Sequence, residues 1–171
     1  GATGTNIFGG FITMEFNSEL QGIEGIKKYD KMRKTDGTIA AILRAVKLPI
    51  LRANWYIEPH ADDPQGEEKA EFVESMLFEN PEQTFEELLQ NILLYLEYGV
   101  MVFEKVYTFN EQGQLVLKKL AYRDPLTYYR WEMSNGEKGL TQMLPVPPKG
   151  KPYNPEIPWD KLVIFWNEKE G

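Results

Sequence analysis

Residues 84–107 read TFEELLQNILLYLEYGVMVFEKVY, and this stretch decides the fold. Thr84 followed three residues later by Glu87 is a capping box. The hydroxyl accepts an early helix amide, and the carboxylate reaches back to the cap amide. Phe85, Leu88, Leu89, Ile92, Leu93 and Leu96 recur at helical spacing, so one broad face is apolar. Glu86 and Glu87 lie in the first turn, where the helix dipole favours anions. Gly99 stands where a left-handed residue closes a helix at little cost. The period then changes at once. Residues 100–107 are rich in Val, Phe and Tyr and read as a strand. The segment is a buried helix that passes into a buried strand through a glycine joint.

Downstream, residues 110–113 read as a hairpin turn and 114–122 as the return strand. Arg123-Asp124-Pro125 breaks that strand; 126–132, 140–144 and 159–166 read as three more. Upstream, residues 23–34 form a short helix with Ile26, Tyr29 and Met32 along one side. Asp36 caps a longer helix carrying Ile39, Ile42, Leu43 and Val46, and Pro49 is expected to end or kink it. Residues 52–58 (RANWYIE) read as a strand stopped by Pro59, and 67–78 as an acidic amphipathic helix. This order predicts an α+β fold, with an antiparallel sheet and helices packed on one face.

The domain reading has four parts. Residues 1–20 are an extended, glycine-rich arm, 21–144 the α+β core, 145–158 a proline-rich connector and 159–171 a final strand. Phe8, Phe11, Ile12 and Phe16 are too apolar for a free tail, so the arm is expected to dock on this domain or on a neighbouring subunit. The arm lacks the strand and the Gly-Lys-Ser/Thr that a phosphate loop needs. Residues 145–158 hold six of the eleven prolines and read as a rigid spacer, or as a ligand for an aromatic groove.

There is no cysteine, which removes disulfides, thiolate metal sites and cysteine nucleophiles. No apolar run approaches the roughly 20 residues that span a bilayer, and no membrane partner is expected. Net charge is −7, opposite to the balance of a compact nucleic-acid binder. The charge is segregated. Residues 27–52 carry eight bases against Asp30 and Asp36, whereas 58–104 carry thirteen acids against Lys69. Charge runs of this kind are solvated helix faces or mutually complementary surfaces of identical subunits.

Candidate chemistry is thin. His60 is the only histidine, and beside Asp62 and Asp63 it reads as a solvated loop residue rather than a metal ligand. Glu58, Asp62, Asp63 and Glu104 are the carboxylates from which a two-metal nucleic-acid-processing site could be assembled. Glu104, inside an apolar strand, reads more simply as one half of an ion pair. Tyr122, Arg123, Tyr128, Tyr129, Arg130 and Trp131 interleave aromatics with cations, as a base-stacking platform does and as the core and rim of a sheet also do. No catalytic residue, cofactor or resident metal is expected.

Two sets of residues carry a family resemblance. One is Tyr29, Met32, Arg33 and Asp36, then Pro49, then Trp55, Ile57, Glu58 and Pro59; the other is Tyr98, Gly99, Glu104, Lys105 and Val106. In combination these resemble the N-terminal part of a tailed-bacteriophage portal protein of the Mu-like, prophage-borne family. The resemblance implies a non-enzymatic structural subunit of a ring, usually twelve-fold, at one capsid vertex. Double-stranded DNA passes through that ring without sequence specificity. The implied partners are further copies of the chain, the terminase, the capsid, and neck and tail proteins. The implied location is the virion, and the host cytoplasm during assembly. On this resemblance the chain is expected to be an N-terminal fragment comprising most of the ring's outer wing.

Overall fold

The computed structural model describes residues 7–8, 11–12, 17–146, 149–150 and 153–167. Five α-helices and eight strands run in the order β1 Ile7–Phe8, β2 Phe11–Ile12, α1 Gly22–Thr35, α2 Gly37–Leu51, α3 Gly66–Phe78, α4 Phe85–Ile92, α5 Tyr95–Tyr98, β3 Val100–Phe109, β4 Leu115–Arg123, β5 Tyr128–Glu132, β6 Lys138–Gln142, β7 Glu156–Pro158 and β8 Leu162–Trp166. The class is α+β and every strand pairing is antiparallel. The strands divide into two sheets, ordered β1-β2-β5-β6-β7 and β4-β3-β8.

The decisive stretch folds much as it reads. Thr84 is the N-cap, and its hydroxyl accepts from the Glu87 amide at 3.2 Å. Gly99 ends α5 with φ +77°. The helix itself is interrupted. Leu94 and Leu96 donate to Asn91 and Leu93, three residues back, so the path tightens between α4 and α5. A Cβ on Gly99 would meet nothing within 4 Å, so only backbone conformation demands glycine there. Gly99→Val is therefore expected to destabilise by about 1–2 kcal/mol in chemical denaturation. An unchanged midpoint would show that the joint relaxes to another conformation.

β3 is the centre of the molecule because both of its faces are covered. Met101 and Phe103 point towards Leu88 of α4, with Leu120 of β4 beside them and Ile92, Tyr95 and Tyr98 closing over the cluster. Val100 and Val102 point the other way and pack with Leu162 of β8 against Tyr128, Leu140 and Ile157 of the five-stranded sheet. Tyr128 also ties the sheets by hydrogen bonds. Its hydroxyl accepts from the Val102 amide and donates to the Arg123 carbonyl, both at 2.8 Å. Removing that hydroxyl strands a buried amide. Tyr128→Phe is expected to cost about 1–3 kcal/mol by urea titration, and a loss under about 0.5 kcal/mol would mean that Val102 finds another acceptor.

The outer edge of β4 is closed by side chains. Gln83 makes a reciprocal pair with Leu120, donating to its carbonyl and accepting from its amide, both at 3.1 Å. Asn80 donates to the carbonyls of Leu117 and Lys118, and the Met76 sulfur accepts from the Leu117 amide. Amide side chains here do what a further strand would do, which blocks edge-to-edge association along β4.

Three sequence expectations need correction. Residues 52–58 form no strand: Trp55 donates from its indole nitrogen to Ile50 O at 3.1 Å and sets its ring edge-on to Phe85. β propensity records packing between paired strands, and this segment has no partner strand. Pro49 does not end α2 at once: the helix runs two residues further, to Leu51. Residues 126–127 and 159–161 are 3₁₀ turns, so β5 and β8 begin later than their aromatic content suggests. In the arm, β1 and β2 form a hairpin whose second strand pairs with β5 at Phe11 and Arg130. Phe8, Phe11 and Ile12 are thus placed by their backbone on the five-stranded sheet, while Phe16 lies outside the described residues.

Candidate functional site

The two motif sets meet where α1 crosses α5. Asp30 and Arg33 lie one turn apart on α1, and Tyr98 closes α5 just before the Gly99 joint. The Tyr98 hydroxyl donates to Asp30 Oδ1 at 2.7 Å and accepts from Arg33 Nε at 2.9 Å. Arg33 also bonds Asp30 through its terminal nitrogen at 2.8 Å, and its guanidinium stands 5.6 Å from the Tyr98 ring centre. Lys34 takes the second carboxylate oxygen at 2.6 Å. Residues 65 to 68 positions apart in sequence are therefore joined in one closed network.

The electrostatics follow from the partners. Lys34 above all, then Tyr98 and Arg33, hold the Asp30 carboxyl down at about 2, against burial, which pushes it up. Burial and the Asp30 carboxylate push the Tyr98 hydroxyl well above its ordinary range. Asp30 titrates lower in the folded chain than its ordinary 3.8. Its contribution to stability is thus complete above about pH 4 and is lost as pH falls towards 2. Wild type is expected to lose about 2 kcal/mol more than Asp30→Asn across that window. Parallel melting curves of the two proteins from pH 5 to 2 would contradict this.

A second junction is made by the preceding residue of α5. Lys47 of α2 pairs with Glu97 of α5, and these side chains are only 16% and 5% exposed. Glu97 Oε2 is buried without a hydrogen-bond partner, so one lysine carries that carboxylate. Between α2 and α4–α5 runs an open groove of about 530 Å³, where Arg33, Arg44, Lys47 and Arg52 face Glu86 and Glu97.

The other motif residues hold the frame. Asp36 caps α2, accepting from the amides of Thr38 and Ile39 at 2.9 and 3.1 Å. Trp55 continues an aromatic chain through Phe85 to Phe78. Glu104 pairs with Arg123 across the β3–β4 ladder. Tyr29 is half-buried, and Met32, Pro49, Glu58 and Pro59 are exposed. His60 sits in an exposed loop where its Nδ1 accepts from the Asp62 amide. Among the described residues, no group of three or more His, Asp or Glu side chains is placed to hold a metal. Lys28, Lys34 and Lys69 hold the carboxyls of Glu19, Asp30 and Asp63 below the usual carboxylate range, in the charged form, which suits anchoring rather than proton transfer. Tyr128 of the aromatic and basic set is core, whereas Tyr122 and Tyr129 are exposed.

Sequence reading missed Asp30, Lys47 and Glu97 as partners. Glu97 did carry a signal, since it is an acid between Leu96 and Tyr98 in an otherwise apolar turn. No described helix is long and apolar enough to cross a membrane. A family model described as the portal protein of Mu bacteriophage matches residues 26–171, which includes α2–α5, β3–β8 and most of α1.

Proposed function

The chain belongs to the Mu bacteriophage portal protein family, and on that premise we propose that it is a subunit of the ring at one capsid vertex, where DNA enters and leaves the head. The observation that carries the reading is the family match across both motif sets, the second of which runs into the core strand β3. The family is structural, not enzymatic, and the site described above anchors helices to one another. In this reading copies of the chain form a ring, expected to be twelve-fold. The ring docks terminase during packaging, then neck and tail proteins, and it is located in the virion after assembly in the host cytoplasm. Residues 21–144 with the strand in 159–171 serve as its outer wing, and the arm at Phe8, Phe11, Ile12 and Phe16 touches a neighbouring subunit. The acidic balance suits a channel along which a polyanion must slide rather than stick.

The reading is tested by deleting the gene from the phage genome and examining heads in the induced lysate. Heads without DNA, restored to filled, tailed particles by the gene in trans, are expected. DNA-filled heads at normal yield would overturn it.

A further inference from the structure

α2 has the composition of a core helix but no fully buried residue. Its sequence is GTIAAILRAVKLPIL, and Ala41, Ile42, Ala45 and Val46 are exposed on its outer side, Ile42 at 58% and Val46 at 50%. The same helix offers Arg44 and Arg52 at the groove, and among the described residues neither has an ion-pair partner. α3 is the opposite case. Glu67, Glu71 and Glu74 follow one another at helical spacing, are exposed and have no cationic partner among the described residues, where Lys69 is drawn off to Asp63. The two helices are mounted on different parts of the molecule. α2 packs on α1 and reaches α5 through Lys47, whereas α3 is held at the β4 edge by Met76 and Asn80.

From this charge complementarity we infer that the α2 groove receives the acidic face of α3 from a second copy of the chain. Arg44 and Arg52 lie about 12 Å apart along α2, and Glu67 and Glu74 about 10.5 Å apart along α3, so two pairs form at once in one register. Leu43, Leu48 and Leu51 line the groove beside the arginines and give the contact an apolar centre, and the ion pairs form its rim. Each copy carries one groove and one acidic helix at separate places, so the contact is head-to-tail and uses both in every subunit. A second copy fits better than nucleic acid. A phosphate backbone would carry unbroken charge past Glu86 and set it against Leu43, Leu48 and Leu51, whereas α3 brings a few separate carboxylates on a helix.

This inference rests on the ring reading and is tested by charge exchange. One variant carries Arg44→Glu and Arg52→Glu; the other carries Glu67→Lys, Glu71→Lys and Glu74→Lys. All five residues are exposed, and circular dichroism and melting check the fold of each variant. Wild type is expected to self-associate in analytical ultracentrifugation at low salt, with apparent affinity falling about tenfold or more as screening shortens the reach of the charges. Each variant alone is expected to be monomeric, because its groove and α3 then carry the same sign. An equimolar mixture is expected to associate again, since every contact in an alternating assembly is attractive. Variants that associate like wild type would overturn the inference and leave the ring standing on another interface, and so would a mixture that stays monomeric. A wild type that is monomeric at every concentration and salt would overturn the inference, and the same result at full natural length would overturn the ring reading as well. Binding of duplex DNA by wild type, lost in the arginine variant without any self-association, would reassign the groove to nucleic acid and overturn the inference.

Discussion

Replacing Lys47 with Met should lower the stability of the chain by about 3–5 kcal/mol, a large loss for a substitution of similar volume. The cost does not come from the ion pair as such. Two charges removed from water gain roughly what they lose, and such a pair is weak evidence of net stabilisation. It comes from Glu97, whose side chain is 5% exposed and whose second oxygen has no partner. Without the ammonium group the carboxylate must either stay charged in a poor environment or take up a proton. The double variant Lys47→Met with Glu97→Leu removes both charges and keeps the volume, so it should recover most of the loss. Urea denaturation of the four proteins in that cycle measures the coupling. Equal losses in the single and double variants would show that packing by the lysine stem, not its charge, holds α2 to α5.

Phe103→Ala should cost about 3–5 kcal/mol, because the ring is fully buried and its loss leaves a cavity between sheet and helices. The ring lies 5.8 Å from Phe165 and 6.4 Å from Tyr122, both edge-on, so neighbours on two strands lose contacts together. A control lies on the same strand. Phe109, near the hairpin tip, is 71% exposed, and Phe109→Ala should change stability by less than about 0.5 kcal/mol. The pair marks where along β3 the core ends. A Phe109 variant as damaging as the Phe103 variant would contradict this boundary.

What could be read in the chain is what depends on near neighbours in sequence. Thr84 and Glu87, Asp36 before α2, Gly99 after α5 and the turn at residues 110–113 are local devices, each legible from spacing. What could not be read depends on partners far along the chain. Residues 52–58 have the side chains of a strand, but whether they form one depends on a neighbouring strand, and among the described residues none pairs with them. The division into two sheets is fixed by β8 returning to β3 past β5–β7, which no local pattern announces. Gln83 and Asn80 read as linker residues, yet they close the β4 edge some 37 positions away. The same limit applies to the junction of α1, α2 and α5. Arg33 and Tyr98 could be picked out by resemblance, but their meeting through Asp30 appears only once the helices cross.

The central claim is that this chain builds a ring for DNA, and electron microscopy of the protein at its full natural length tests it most directly. Rings with a central hole wide enough for duplex DNA, with about twelve-fold symmetry in class averages, are the predicted result. A folded protein that remains a single copy across concentrations would contradict it.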